Sequence, residues 1–122
     1  MSKQLSGRQN HLEQLNEQYK TLKAQIEALG YVVHGSIVRR TKRCGNPNCR
    51  CQNDKKLEHG PYHQWTIKIR AKTVTKILSP IEADLYSELI ANGRMLTKLI
   101  AKMYKLSNQA ASLMLKDKIN RE

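Results

Sequence analysis

The sequence has few aromatic residues and no long apolar segment. Its 122 residues include no phenylalanine, one tryptophan and five tyrosines. The remaining large apolar residues are mainly Leu, Ile, Val and Met, which suit helix–helix seams better than a bulky sandwich core. No apolar run approaches the roughly 18 residues of a membrane-spanning helix, and the N-terminus lacks the apolar segment of a secretory signal. We therefore expect a cytoplasmic protein with no membrane partner.

Acidic residues are also scarce, with 10 against 22 basic ones, for a formal net charge of +12. Residues 31–80 hold most of the excess, with eleven basic and two acidic side chains. A basic run is often only a solvated surface, but this one coincides with all three cysteines and the only tryptophan. The charge distribution therefore divides the chain into three parts. With the patterns described below, we predict them to be an N-terminal coiled-coil helix (1–30), a basic domain (31–80, here called the β head) and a C-terminal helical oligomerisation region (81–122).

Apolar residues follow heptad spacing in both flanking segments. The first seam predicts a helix over roughly residues 6–29, ended by Gly30. In the second segment, Ser79, Pro80 and Glu82 match a capping box with proline at the first helical position, and the seam continues to about residue 117. Asn92-Gly93 could kink this helix, since an interior glycine costs about 1 kcal/mol, but the unbroken heptad phase favours one helix. The first seam consists of Leu12, Leu15, Tyr19, Leu22, Ile26 and Leu29.

The second helix is longer than the first, and its apolar stripe is wider than one partner needs. Paired within the chain, the first helix could cover only part of the second. The sequence therefore predicts a homo-oligomer, most simply a dimer. A compact monomeric bundle, in which the tail folds back, is the alternative.

Three strands are predicted in the β head. Trp65, Ile67 and Ile69 alternate with polar and basic residues, which is typical of a half-buried strand with a basic outer side. Thr73–Leu78 would form a hairpin with it, and Ser36–Arg40 a third strand. A sheet this small needs further support. The predicted fold class is α+β: long N- and C-terminal coiled-coil-like helices flank a small three-stranded antiparallel β head that zinc stabilises.

The zinc prediction comes from Cys44, Cys49 and Cys51. An odd cysteine count argues against a disulfide framework, and clustering three thiols does not serve a catalytic cysteine. Three thiolates in a Gly/Asn/Pro-rich turn and one imidazole match a closed tetrahedral site, so the Zn²⁺ would be structural. His59 and His63 both compete for the fourth position. Free reduced thiols, or a redox sensor, are the alternatives.

Residues 35–80 also resemble a family of small uncharacterised bacterial proteins associated with mobile genetic elements. Within this family the residue after the tyrosine is commonly aromatic; here it is His63, so the resemblance implies His59 as the fourth ligand. The genetic context implies a recombinase or transposase as partner and a nucleoid location. The resemblance rests on Gly35, Arg39-Arg40, the motif from Cys44 to Cys51 (Cys-Gly-x-Pro-x-Cys-x-Cys), His59-Gly60-Pro61-Tyr62, Lys72-Thr73-Val74 and Leu78-Ser79-Pro80.

The resulting interpretation is a nucleic-acid-binding accessory protein, with double-stranded DNA the expected ligand. The chain has no paired carboxylates, Ser/His/Asp arrangement or phosphate-binding glycine loop, so we expect no enzyme. The alternative is an adaptor or regulator that binds another protein through its helices. The charge pattern alone does not distinguish DNA from RNA. The candidate nucleic-acid contacts are Arg39, Arg40, Lys42, Arg43, Arg50, Lys68, Arg70, Lys72 and Lys76.

Overall fold

The computed structural model describes residues 7–121, and it confirms an α+β fold in which two helices flank a three-stranded antiparallel sheet. Within these residues the chain divides into two compact units, one of residues 31–93 and one of residues 7–30 and 94–121. Two short 3₁₀ turns, Arg50–Gln52 and Lys55–Leu57, lie between the first two strands. The elements are α1 (Gly7–Ala28), β1 (Ser36–Lys42), β2 (His59–Ile69), β3 (Lys72–Leu78) and α2 (Pro80–Arg121).

The helical unit buries the heptad positions of α1. Leu15 and Leu22 are buried, and the other four positions of this seam are half-buried. Leu99 is the buried residue of α2 in this unit. Arg8 lies 3.7 Å from Asp117, while Leu22 shares a groove with Leu106, so the two segments run antiparallel. The period of 3.5 residues thus identified the buried side of α1; a coiled coil in the strict sense stays a prediction.

The predicted capping box begins α2. The Ser79 hydroxyl accepts a hydrogen bond from the Glu82 backbone N–H, and the Glu82 carboxylate accepts one from the Ser79 N–H, both at 3.2 Å. The bond from the Ser79 backbone N–H is the main cause that holds the pKa of Glu82 below its ordinary value. Because β3 ends at Leu78, these two bonds fix the point at which strand becomes helix.

Asn92 and Gly93 neither break nor end α2; they hold the segment that precedes β1. The Asn92 amide donates to the Tyr31 carbonyl oxygen at 3.0 Å, and Val33 N–H donates to the Leu89 carbonyl at 3.1 Å. A Cβ on Gly93 would lie 2.7 Å from the Val33 carbonyl oxygen. In a helix interior alanine is ordinarily more stable than glycine by about 1 kcal/mol. Glycine is therefore explained here by the close approach of the Val33 backbone, for which a Cβ would leave no room.

The sheet has the order β1-β2-β3, and its register assigns the side chains to two faces. Ile37, Trp65 and Lys76 lie in one row across the strands, and the neighbouring row of Val38, Gln64 and Ile77 points to the opposite side. We call the side of Trp65 the inner face and the side of Gln64 the outer face.

The inner face packs against the start of α2. The Trp65 ring meets the Tyr86 ring edge-on, with 5.2 Å between centroids and 75° between planes. The Trp65 indole N–H donates to the His34 carbonyl oxygen at 2.9 Å, and Leu78 is buried. An aromatic pair and one buried leucine therefore replace the large core that the composition does not provide.

The β2–β3 hairpin is tighter than predicted. Arg70 and Ala71 both have positive φ, 50° and 66°, which is the pattern of a two-residue type I′ turn. The second strand of the hairpin, predicted to begin at Thr73, begins one residue earlier at Lys72. Ile69, predicted as half-buried, is 49% exposed because it lies next to this turn at the end of the sheet.

Candidate metal centre and basic surface

Three cysteines and one histidine meet at the end of the sheet. The Sγ atoms of Cys44, Cys49 and Cys51 and a ring nitrogen of His59 all lie within 4.8 Å of one another. The Cys44 and Cys51 sulfurs are 3.5 Å apart, and the Cys49 sulfur is 3.2 Å from His59 Nε2. Tetrahedral Zn²⁺ would set these separations at about 3.8 Å and about 3.6 Å. The cluster is therefore close enough to bind a metal ion, and its donor atoms suit zinc.

The cysteine loop is ordered by its own hydrogen bonds. The Asn46 side chain accepts from the Asn48 N–H at 3.0 Å, and the Asn46 carbonyl accepts from the Cys49 N–H at 3.1 Å. The Gln52 amide donates to the Cys44 carbonyl at 2.6 Å, which joins the two ends of the loop. A 3₁₀ turn at Arg50–Gln52 then brings Cys51 back toward Cys44. The Gly/Asn/Pro content of this segment serves such turns.

The sulfurs differ in their surroundings. Cys51 is fully buried, and burial raises the pKa of its thiol. The pKa of Cys49 is lowered to about 6, first by a hydrogen bond from the Cys51 backbone N–H and then by the His59 side chain. The Cys44 N–H donates to the Cys51 sulfur at 3.3 Å. Backbone donors of this kind stabilise thiolate ligands, and a bound Zn²⁺ would keep Cys51 deprotonated despite its burial.

Gly60 determines how His59 enters the site. Its φ is +123°, and a Cβ here would lie 2.9 Å from both the Arg40 carbonyl oxygen and the Tyr62 nitrogen. The pairing of β1 with β2 is irregular at this point, so that Lys42 lies opposite His59. His63 instead lies inside the sheet, opposite Arg39 and Leu78, and is not among the clustered residues. Of the two histidines that the spacing left open, the structure brings His59 to the cysteines.

The thiols form no disulfide. All three are free, with Cys44 and Cys49 half-buried and Cys51 buried. Among the described residues, the two histidines outside the β2 strand, His11 and His34, belong to no such cluster.

The nine predicted basic contacts are all exposed, but they do not form one flat surface. By register, Arg40 and Lys68 lie on the outer face, whereas Arg39, Lys72 and Lys76 lie on the inner face. Lys76 is 3.9 Å from the Glu82 carboxylate and 5.9 Å from the centre of the Tyr86 ring. The others lie at the ends of strands or in loops: Lys42 and Arg43 after the irregularity in β1, Arg50 in the cysteine loop, and Arg70 in the hairpin turn.

Sequence reasoning missed a depression on the outer face. It has a volume of about 150 Å³. The Lys42 ammonium lies 5.6 Å from the centre of the Tyr62 ring, on the same side of the sheet. Strict alternation through β2 places Tyr62 and Gln64 on the same face, and this is the signal in the sequence that could have found the depression. The lining residues are Arg40, Thr41, Lys42, Tyr62, Gln64 and Ile77.

The fold and the site define a small α+β protein with a candidate Cys₃His metal centre. The sequence profile of one protein family, the domain of unknown function DUF6788, matches residues 12–87, and the chain belongs to this family. The match spans most of α1, the whole sheet with its cysteine loop, and the first two turns of α2. No curated protein and no solved structure matches the chain. No helix among residues 7–121 is both long and apolar enough to cross a membrane.

Proposed function

We propose that this protein binds nucleic acid through its β head, which a structural zinc ion holds in shape. The observation that most directly supports this proposal is a set of nine exposed cations on and around one small sheet. Among the described residues, only Lys76 of these nine has a carboxylate within 4.0 Å. Uncompensated lysines and arginines on a rigid scaffold are what a phosphate backbone requires, because each phosphate contact releases condensed counterions.

The zinc in this proposal organises the binding surface. Three thiolates and an imidazole complete a tetrahedral set, which leaves no open position at which water or substrate could be activated. Bound Zn²⁺ would join the cysteine loop to the start of β2 through His59. Arg43 adjoins this loop and Arg50 lies in it, so zinc would also fix their positions relative to the sheet.

The cellular role in this proposal rests on the resemblance to proteins of mobile elements. We assign the protein an accessory role beside a recombinase or transposase on double-stranded DNA, in the nucleoid of a bacterial cytoplasm. Phosphate contacts would give affinity without sequence preference; base contacts would require a side chain that enters a groove. The hairpin tip at Arg70 is the part of the sheet best shaped for that purpose.

Salt dependence tests the proposed function. Duplex DNA should bind the intact zinc-loaded protein with a log–log slope near −0.9 per phosphate neutralised, so about six contacts would weaken binding roughly a thousandfold between 50 and 200 mM salt. Fluorescence anisotropy measures this. Neutralising Arg39, Arg40, Lys68, Arg70 and Lys72 together should abolish binding, whereas neutralising Lys98, Lys102 and Lys105 of α2 should change it little. An affinity for DNA that does not change with salt concentration, or no binding below about 10 µM at low salt, would contradict the proposal.

A second candidate function is protein–protein interaction through the helices, as an adaptor or regulator. The observation that favours it is an uncharged stripe on α2 within the helical unit, at spacings of four and three residues. Ser107 and Ala111 at its middle are small enough for a second helix to approach closely. The stripe consists of Ile100, Tyr104, Ser107, Ala111 and Met114, all of them exposed.

The homo-oligomer predicted from the sequence would use the same stripe, because a two-fold axis at its small residues would place matching uncharged surfaces of two copies together. A dimer would then close the stripe to another protein, so the oligomeric state decides between the two uses. Light scattering after size exclusion should give twice the 14.1 kDa of one chain. Tyr104→Lys should return the protein to a monomer, whereas Tyr104→Leu should leave the dimer intact. A wild-type monomer at about 50 µM would exclude the second copy.

A further inference from the structure

Of the two faces of the sheet, we infer that the outer face receives the nucleic acid, and that its depression holds one unpaired nucleotide. This inference rests on the proposed function and names the part of the ligand that the β head would select. Phosphate would lie between Arg40 and Lys42, and the base would lie against Tyr62 and Ile77, with its edge toward the Gln64 amide.

The inner face is occupied where α2 packs on it, while Ile69 and Val74 at its hairpin end are 49% and 42% exposed. Trp65 packs on Tyr86, Leu78 is buried, and Lys76 is held between Glu82 and Tyr86. Arg39 and Lys72 lie at the margins of that face. A nucleic acid centred on that face would have to displace the packing that supports the sheet, which leaves it only the hairpin end around Lys72, so the inner-face cations are worse placed for it than those of the outer face.

The outer face combines cations with exposed apolar area. Ile77 is 51% exposed and Val38 is 39% exposed, and they flank Gln64 in one row across the three strands. Exposed apolar side chains beside a basic patch serve no purpose for phosphate alone. They do suit the faces of bases, which stack on aromatic and apolar side chains when a strand is unpaired.

The depression offers a partner for each part of a nucleotide. Arg40 and Lys42 provide positive charge, Tyr62 a ring, and Gln64 both donors and an acceptor for a base edge. The Lys42 ammonium lies over the Tyr62 ring at 5.6 Å, the position that a stacked base would take. A base that enters would move this ammonium aside, and Lys42 could then reach the phosphate of the same nucleotide.

The size of the depression argues for part of a polymer. Its volume of about 150 Å³ is below the roughly 300 Å³ at which ordinary small-molecule sites begin. A free nucleotide cofactor would therefore remain largely uncovered, whereas one residue of a longer strand would gain further contacts from Lys68 on the same face. In a duplex the bases are stacked on each other, so only an unpaired base can present its face here.

Two double variants with the same net charge test the choice of face. Arg40→Gln with Lys68→Gln removes two outer-face cations, and Arg39→Gln with Lys72→Gln removes two inner-face cations. Binding of a labelled 12-nucleotide single strand should weaken at least tenfold more in the outer-face double variant than in the inner-face double variant. Equal losses, or a larger loss in the inner-face pair, would overturn the inference while leaving nucleic-acid binding itself intact. A wild-type protein that binds duplex DNA but not this single strand would overturn the inference and leave the proposed function standing, whereas a wild-type protein that binds neither would refute the proposed function.

The unpaired nucleotide is tested at Tyr62. Loss of one stacking contact is worth about 1–3 kcal/mol, so Tyr62→Leu should weaken single-stranded DNA or RNA about fivefold to a hundredfold and duplex DNA of the same sequence less than twofold. Tyr62→Phe should bind like the wild type. Zinc content and circular dichroism establish that each variant is folded; if Tyr62→Leu is not, the uncharged substitution Ile77→Ser takes its place with the same expectation. An unchanged single-strand affinity, or equal losses of affinity for single strand and duplex, would overturn the assignment of the depression to an unpaired nucleotide.

Discussion

Replacing Cys51 by serine is expected to abolish stoichiometric zinc binding and to unfold the β head. The side chain is fully buried, and its sulfur lies 3.5 Å from that of Cys44. Serine is not a zinc ligand at neutral pH, and it would put a buried hydroxyl where the metal needs a thiolate. Zinc binding supplies about 10–16 kcal/mol of folding free energy in zinc-finger peptides. The sheet has little to replace this contribution, because every residue of β3 except Leu78 is exposed.

The measurement combines zinc content by elemental analysis with Trp65 fluorescence and circular dichroism. His63→Ala is the matched control, because His63 lies on the same strand as His59 but outside the cluster, and it should retain one zinc per chain. His59→Ala should lose tight binding. Chelation of the wild-type protein should reproduce the Cys51→Ser spectrum, and added zinc should reverse it. A Cys51→Ser protein with one tightly bound zinc and an unchanged melting temperature would contradict the assignment of the metal centre.

Gly35→Ala is expected to destabilise the unit of residues 31–93 by on the order of 3 kcal/mol, which for a unit of this size is a fall of roughly 12–24 °C in melting temperature. Gly35 has φ +109°, which alanine adopts only with strain. Its added Cβ would lie 2.6 Å from both the Thr66 carbonyl oxygen and the Trp65 indole nitrogen. The Thr66 backbone is paired to strands on both sides and cannot retreat. The indole would have to move instead, which breaks its bond to His34 and its contact with Tyr86.

Gly45→Ala provides the control for this substitution. Gly45 lies in the cysteine loop, and a Cβ there would have no heavy atom within 4 Å. Thermal unfolding followed by Trp65 fluorescence should place this variant within about 0.5 kcal/mol of the wild type. Equal melting temperatures for Gly35→Ala and Gly45→Ala would show that the Gly35 position is not required for the packing of Trp65.

Sequence patterns predicted those features of the structure that depend on residues close together in the chain. The seam of α1 follows from its heptad spacing, and the start of α2 follows from Ser79 and Glu82, which bond to each other across one turn. The cysteine ligands follow from their spacing within one loop. Spacing alone could not choose between His59 and His63, because both histidines follow the loop at a distance that a flexible chain could span; the Gly60-Pro61 that follows His59 and the family resemblance favoured His59.

Contacts between distant parts of the chain escaped prediction. The sequence marks Asn92-Gly93 only as a possible kink in a helix, but the partners of these residues, Tyr31 and Val33, lie about sixty residues earlier in the chain. No spacing rule connects them. The division of the basic residues between two faces likewise depends on register, since one irregularity in β1 decides on which side Lys42 lies.

Nuclear magnetic resonance titration of the zinc-loaded protein tests the central claim most directly. Labelled protein and an unlabelled oligonucleotide are mixed at about 100 mM salt, and the change of each backbone amide signal is followed. Nucleic-acid binding by the β head predicts shifts in residues 36–42 and 59–78, with saturation, and unchanged signals in residues 7–28 and 100–121. Shifts confined to the two helices, or no shifts at millimolar oligonucleotide, would contradict it.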